Sequence, residues 1–452
     1  MLIPAAPNYL QSVLTQADIP PGHRFSLFLP IWEAAWVPTT KEKGQALSRI
    51  LSMKGHVAEL AKSLVKRQEI LATTSGNDCM IFPCISQAPF TTGLGNEHPL
   101  GNGFAFLTPY GIPYLSGSGV KGVMRRAAEH LALFPDEYHS NRPFPEFCLL
   151  DVWRLFGFEG EGCSTFPKKN ATDEDRAWQK AYEDQIPEIA KRPDLKEFIS
   201  SLQIERDERE ACLKAPETFL RRLGEDKKFR NSIHTRGSLT FWDVIPVTPK
   251  GEMCVEVMTP HYSDYYQSGK SPHDSGSPNP IPFLAIPAET KFQFVIQARN
   301  TPFPSQIGMN DVVGKLLAFA CKWLGFGAKT AIGYGALKLD IQGQANIAIS
   351  IERTRKEDRE KRELAALTEE RKELRAFQAQ FEKAQSVAGY KAGCPFDDVR
   401  LGFIKKALTW QLSQDRADAA DILEKTIKWG CSDKRKKEFR DTVTALRSPC
   451  KS

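Results

Sequence analysis

Apolar residues recur at three- and four-residue steps from Lys41 to about Leu71, where Leu47, Ile50, Leu51, Val57, Leu60, Leu64 and Val65 stand among Lys, Arg and Glu. That spacing predicts an amphipathic helix, ended by Gly76-Asn77. β-like runs follow at Cys79 to Ile85 and at Phe104 to Leu107, with a Gly/Asn-rich loop, Thr91 to Gly103, between them. The helical period returns from Val120 to Leu133. Val120, Val123, Met124, Ala127, Ala128 and Leu131 share one face there, and Lys121 and Arg125 share the other. Phe147 to Phe156 predicts a short helix stopped by Gly157.

From about Cys163 to Arg230 the composition turns polar and charged with helical spacing, as an insertion between two core elements would. Strands are expected again at Ser238 to Ile245, Met253 to Met258 and Lys291 to Gln297, with a long Pro/Ser/Tyr/Gly loop from Thr259 to Pro287. Asn310 is expected to cap a helix with the stripe Val312, Val313, Leu316, Leu317, Ala320, Trp323 and Leu324, stopping at Gly325. Tyr334 to Ile341 reads as a last strand.

Beyond Glu352 a charged helix is predicted over Arg353 to Gln385. Leu367, Leu374 and Phe381 repeat every seven residues, but Arg371 and Gln378 interrupt the seam, which argues against a long isolated coiled coil. Helices are expected at Val399 to Leu412, Ala417 to Lys428 and Lys434 to Leu446. The pattern therefore predicts an α+β chain in three parts. These are an N-terminal helical extension (1–75), a core (76–343) with a helical insertion at about 163–233, and a C-terminal helical region (352–452).

Composition changes this picture little. Of 452 residues, 41% are hydrophobic and 26% charged, enough for a sizeable core, and the net charge of +6 is only mildly basic. Ten cysteines occur without a CxxC pair, Cys79 and Cys84 being the closest. Reduced thiols are expected in place of a zinc site or a disulfide scaffold. Met1-Leu-Ile-Pro lacks a basic stretch followed by an apolar run, and no segment approaches a membrane span. A soluble, cytoplasmic protein with no membrane partner is the expectation.

The candidate chemistry lies in two glycine-rich segments, each with a lysine. One is Tyr114-Leu-Ser-Gly-Ser-Gly-Val-Lys-Gly-Val-Met-Arg-Arg126, which opens a helix. The other is Leu324-Gly-Phe-Gly-Ala-Lys-Thr-Ala-Ile-Gly-Tyr-Gly335, which closes one. Unobstructed backbone amides beside a fixed cation suit phosphate oxygens, and two such turns far apart in sequence suit a polyanionic chain. The candidate RNA contacts are Gly117, Gly119, Lys121, Gly122, Arg125 and Arg126 in the first turn. In the second they are Gly325, Gly327, Lys329, Thr330, Gly333, Tyr334 and Gly335. Glycines that merely permit tight packing are the competing explanation of both turns.

Other chemistries fit less well. Gly117-Ser-Gly-Val-Lys-Gly122 matches GxGxxG, but the acid a dinucleotide fold requires would fall at Asp136-Glu137, behind Pro135 and after no strand. Gly327-Ala-Lys-Thr330 has Ala328 where a P-loop needs glycine, and runs helix–loop–strand in place of strand–loop–helix. No cofactor is expected. His98, in Asn96-Glu97-His98, is the best-placed acid–base candidate, suited to metal-independent RNA cleavage. His261, Asp264, His273 and Asp274 could be drawn together as a metal site, though their spacing matches no helix-borne ligand pair, and none is assigned. Tyr262, Tyr265 and Tyr266 could stack on bases or meet a protein. Lys434-Arg-Lys-Lys437 reads as a solvated helix face.

An ordered series of short motifs carries a resemblance. It runs Thr92-Gly-Leu-Gly-Asn-Glu-His-Pro99, Gly103-Phe-Ala-Phe106, Gly111-Ile-Pro-Tyr-Leu-Ser-Gly-Ser-Gly-Val-Lys-Gly122, Leu155-Phe-Gly157 and Gly237-Ser-Leu-Thr-Phe-Trp-Asp-Val-Ile-Pro246. Thr259-Pro-His-Tyr262, Ser277-Pro-Asn-Pro-Ile-Pro282 and Gly333-Tyr-Gly335 complete it. With these, the chain resembles the RAMP superfamily of CRISPR-associated RNA-binding proteins, among them subunits of the Cmr (type III-B) RNA-guided effector complex. The resemblance implies a ferredoxin-like, RRM-related βαββαβ core with the terminal glycine loop along bound RNA. It implies a non-catalytic structural subunit in antiviral defence, capping the effector filament near the 3′ part of the guide RNA. The implied partners are guide (CRISPR) RNA and target RNA, other RAMP subunits and a small helical subunit. A processing endoribonuclease of the same superfamily, using His98, is the alternative.

Overall fold

The computed structural model describes every residue except 1–2, 6–18, 34, 40–42, 76–77, 161–164, 167–170, 260–268, 270–279, 300–307, 366, 387–394 and 449–452. Its strands are β1 (Cys79–Ser86), β2 (Phe106–Leu107), β3 (Ile112–Pro113), β4 (Gly157–Glu159), β5 (His234–Arg236), β6 (Leu239–Phe241), β7 (Cys254–Met258), β8 (Ile281–Ala285), β9 (Lys291–Ala298) and β10 (Leu337–Leu339). The chain is a mixed helix-and-sheet protein, as the hydrophobic pattern predicts. Two compact units divide it, Met1–Ile347 and Ala348–Ser452.

The first unit is built on one four-stranded sheet with the order β10-β1-β9-β6. Every pairing in it is antiparallel, with Phe82 opposite Phe294, Cys84 opposite Leu339 and Phe241 opposite Ile296. The Gly117–Leu133 helix lies between β1 and β6 in sequence, and the Met309–Phe319 helix between β9 and β10. Of the apolar stripes seen in the sequence, Val123 and Leu324 are only partly buried and Trp323 is exposed. The rest are buried: Val120, Met124, Ala127, Ala128 and Leu131 on the first helix, Val312, Val313, Leu316, Leu317 and Ala320 on the second. Burying each of these larger side chains contributes about 1.5–3 kcal/mol. The two helices pack against each other, and the His56–Thr74 helix lies against β1 and β9.

Several boundaries differ from expectation. The strands expected at Ser238 to Ile245 and Tyr334 to Ile341 shorten to Leu239–Phe241 and Leu337–Leu339, and the helix expected at Val399 to Leu412 runs Pro395–Ala407. The first helical stretch is two helices, Lys43–Ser48 and His56–Thr74. Between them the Met53 amide bonds to the Gly251 carbonyl and the Met253 amide to the Leu51 carbonyl, and Gly55 turns the chain at φ 58°. Asn310 is not the cap, because the second core helix begins a residue earlier, behind Gly308. The segment before Pro287, expected as loop, contains β8, which pairs with β7 from Met258↔Ile281 to Cys254↔Ala285. Prolines 280, 282 and 287 hid it, although Pro282 is tolerable on a two-stranded ladder. The charged segment after Glu352 belongs to two helices, Ile341–Ala365 and Glu369–Ser386.

The insertion leaves from β4 and returns through β5, which pair with each other. Its helices run Asp173–Lys191, Pro193–Ser201, Arg206–Lys214, Pro216–Glu225 and Lys227–Ser232. Arg192 fixes it to the core by bonding both oxygens of the buried Asp151 at 2.8 Å while also holding Asp194. The second unit packs Phe377, Phe381, Phe396, Phe403, Leu423 and Phe439 at its centre. Its fully buried Arg400 is satisfied by Asp397, the Thr426 hydroxyl and carbonyl, and the Gly430 carbonyl. Leu374 and Phe381 of the expected seam pack inside this unit.

Candidate nucleic-acid interface

The first glycine turn starts the Gly117–Leu133 helix. Ser116 caps it in extended conformation, its hydroxyl accepting from the Gly119 amide at 3.1 Å. The Gly117 amide donates to Asp243 Oδ1 at 2.7 Å. Gly117 is pressed against the Phe241 carbonyl, where a Cβ would collide. An internal carboxylate and a capping hydroxyl therefore take two of the amides expected to face phosphate, a correction to the predicted seat. Gly122, by contrast, has open space around it.

The cations of this turn separate into two kinds. Arg125 is drawn to the buried Glu129 at 3.0 Å. Arg126 pairs with Glu174 at 2.8 Å and lies 3.5 Å over the Trp178 ring. Lys121 has no ion pair among the described residues. Burial pushes its amine below the usual lysine range, Arg125 and Arg236 add to that, and Glu159 opposes it. The neutralised arginines contribute less to holding an anion than the sequence suggested.

The second turn follows the π-helical end of the other core helix, Ala320–Leu324. Gly325, Gly327, Gly333 and Gly335 all have positive φ, and Lys329 itself is left-handed at φ 61°. Two of these glycines serve close approach within the protein. Gly327 faces the Thr91 carbonyl and the Phe90 ring, and Gly335 faces the Phe326 carbonyl. Hydrogen bonds Ala328 N to Thr91 O, Gly335 N to Pro89 O and Phe326 N to Gly335 O, each 2.8–2.9 Å, lock the loop. A Cβ at Gly325 would stand 3.2 Å from the Thr330 methyl, and Thr330 opens a single 3-10 turn ending at Ile332. Gly333 stands in open space.

Tyr334 donates its hydroxyl to Glu256 Oε2 at 3.0 Å, and burial with that carboxylate pushes its phenol up to about 12. The Lys329 amine sits 3.0 Å from Met258 Sδ and 5.1 Å from the Phe283 ring centre, with no carboxylate partner among the described residues. The β7–β8 ladder thus holds the loop through Glu256, Met258 and Phe283.

The two turns are bonded to residues that follow strands running in the same direction. β1 and β6 both run antiparallel to β9 and so point the same way, but β6 ends opposite Ile296, the partner of Met80, whereas Ile85 near the end of β1 is opposite Lys291. The glycine loop is hydrogen-bonded to residues just after β1, and Gly117 to Asp243 just after β6. Gly117 therefore sits level with the start of β1, against the Phe241 carbonyl, and the glycine loop lies beyond the end of β1. β10 and β6 are three inter-strand steps apart, about 14 Å. Lys121 and Lys329 are the two members of the expected set with a cation not taken up by a carboxylate among the described residues.

His98 is differently placed from an acid–base group. Its ring stacks on Phe25 at 3.8 Å, Nε2 lies 3.1 Å from the Phe25 carbonyl, and Nδ1 accepts from the Leu100 amide at 3.2 Å. Both nitrogens are thereby engaged in the neutral form. No group of three His, Cys, Asp or Glu suited to a metal occurs among the described residues. His261, Asp264, His273, Asp274, Tyr262, Tyr265 and Tyr266 lie outside them. Lys434, Lys436 and Lys437 are exposed, as read. No described helix is long and apolar enough to cross a membrane.

Residues that shape the site without having been assigned a role are Asp243, Glu256, Met258 and Arg236. Asp243 stands in the quoted Phe241-Trp-Asp243 stretch, and a carboxylate directly after a strand is a signal for an amide partner. The others depend on pairings across long sequence separations, for which a single sequence has no signal.

Residues 86–338 match the family model of the RAMP superfamily. The CRISPR system Cmr subunit Cmr6 of Pyrococcus furiosus is 29% identical over 269 residues, covering 56% of this chain and 65% of that protein. The chain thus spans just under two thirds of the length of this relative. Among solved structures, the crystal structure of Cmr6 from Pyrococcus furiosus is 20% identical, covering 58% of this chain and 98% of the other at a TM-score of 0.25. The type III-B Cmr-beta complex bound to cognate target RNA contains a chain that is 16% identical, covering 67% and 71% at a TM-score of 0.35. A type IV-B CRISPR complex contains one that is 14% identical, covering 58% and 89% at 0.27.

Proposed function

This chain belongs to the RAMP superfamily, and we propose that it is a non-catalytic, RNA-binding structural subunit of a type III-B CRISPR (Cmr) effector complex in the cytoplasm, acting in antiviral defence. In this reading it caps the filament near the 3′ part of the guide RNA. It lies beside target RNA, other RAMP subunits and a small helical subunit. The first unit supplies a ferredoxin-like, RRM-related core. The strand order β10-β1-β9-β6 with its two crossover helices supports that assignment. The helical insertion and the region after residue 352 supply protein-facing surface.

The observation that carries the reading is the placement of Lys121 and Lys329. Both are unpaired by carboxylates among the described residues, and both belong to glycine turns bonded to residues that follow strands running the same way in one sheet. Two such cations hold a ribose–phosphate strand without reading its bases, as a subunit serving many guides must. Gly122 and Gly333 leave its path unobstructed. Gly117, Gly119, Gly325, Gly327, Thr330, Tyr334 and Gly335 shape and anchor the two turns.

The endoribonuclease alternative loses its main support, because His98 has both ring nitrogens bonded inside the protein. Incubating the purified chain with labelled single-stranded and repeat-containing RNA tests the proposal. Binding without cleavage, and with little dependence on sequence, is expected. Cleavage abolished by His98→Ala would overturn it.

A further inference from the structure

A cleft of about 240 Å³ opens beside β5, lined among others by Arg154, Arg236, Arg299, Glu197, Ser201 and Ser238. Backbone bonds assemble its three arginines. The Ser238 amide donates to the Arg154 carbonyl and the Arg299 amide to the Ser238 carbonyl, both at 2.9 Å, while Arg236 ends β5 two residues earlier. Gly237 makes this possible by running against Leu155 and Phe156, where any Cβ would collide.

The three charges are not equivalent. Arg154 is nearly buried and already answered by Asp194 at 2.8 Å and Glu197 at 3.7 Å. Arg236 and Arg299 are exposed and have no carboxylate partner among the described residues. Two uncompensated guanidinium groups beside one concavity repel each other and favour an oxyanion between them. Their planar forks match phosphate oxygens. The volume is below that of usual small-molecule pockets, about 300–1,000 Å³, so it suits one phosphodiester of a passing chain better than a whole metabolite.

We propose that this cleft is a second phosphate site, in which Arg236 and Arg299 hold a backbone phosphate of the RNA strand gripped by Lys121. The inference rests on the RNA-binding function proposed above. Continuity supports it, since Arg236 is close enough to Lys121 to act on its charge. The cleft extends the basic path from the first glycine turn along the β6 edge of the sheet.

The test measures affinity of the full chain for a labelled single-stranded RNA across a salt series. Arg236→Ala with Arg299→Ala should lower the slope of log affinity against log salt by about 1.4, the share of two single-strand phosphate contacts. Arg206→Ala with Arg221→Ala removes the same charge from the insertion helices and should leave the slope unchanged. Arg236→Lys with Arg299→Lys should keep the slope and weaken affinity, which separates lost contacts from lost folding. An unchanged slope in the alanine pair, with wild-type binding intact, overturns the inference. An equal fall in the control pair overturns it as a net-charge effect. A wild-type chain that binds no RNA refutes the function itself, and this site with it.

Discussion

The carboxylate of Asp243 lies 2.7 Å from the amide nitrogen of Gly117, at the positive end of the first core helix. A charge-assisted bond of this kind, reinforced by the helix dipole, is worth about 1.5–3 kcal/mol. It also ties the end of β6 to the start of the helix that precedes it in sequence. Asp243→Ala should destabilise the first unit by about that amount, and Asp243→Asn by less, because the amide oxygen still accepts. Urea denaturation followed by circular dichroism reads both. Equal, negligible losses would show that the carboxylate does not organise the turn.

The glycines of the second turn should divide by surroundings. Gly335→Ala drives a methyl into the Phe326 carbonyl at a positive φ of 70° and should cost several kcal/mol, enough to impair folding. Gly333→Ala meets open space and carries only the backbone penalty, about 1–2 kcal/mol. Melting temperatures of the two variants make the comparison. A similar fall in both would contradict the packing described for Gly335.

This contrast marks what could be read in advance. The glycine loop, its lysine and both core helices are local features, visible through a 3.6-residue period and clustered glycines. Whether a given glycine serves a ligand or its own neighbours depends on Pro89, Phe90 and Thr91, more than two hundred residues away. The burial of Arg125 against Glu129 shows the same limit. The i,i+4 pair was in plain view, but the exposure that decides between a free cation and a spent one comes from packing. β8 was hidden because its prolines argue against strand and its partner β7 lies across a long segment.

Acid should weaken the first unit through two half-buried histidines. Burial lowers the His98 imidazole below its ordinary value of 6.5, Lys43 adds to this, and the Phe25 carbonyl opposes it. Burial and then Arg126 lower His130 in the same direction. The unfolded chain therefore binds more protons than the native one just below pH 6.5. The stabilising contribution is complete above that value and is lost as pH falls through the folded-state values. Urea midpoints should decline between neutral pH and about pH 5, and His98→Asn should flatten the decline. Stability that rises over this interval would reverse the assigned sign.

The central claim is that Lys121 and Lys329 grip one ribose–phosphate strand. The most direct measurement is the salt dependence of single-stranded RNA affinity for the wild-type chain and for Lys121→Ala combined with Lys329→Ala. The account predicts a slope smaller by about 1.4 in the double variant, with about half of that in each single variant. An RNA affinity and slope identical to wild type would contradict it.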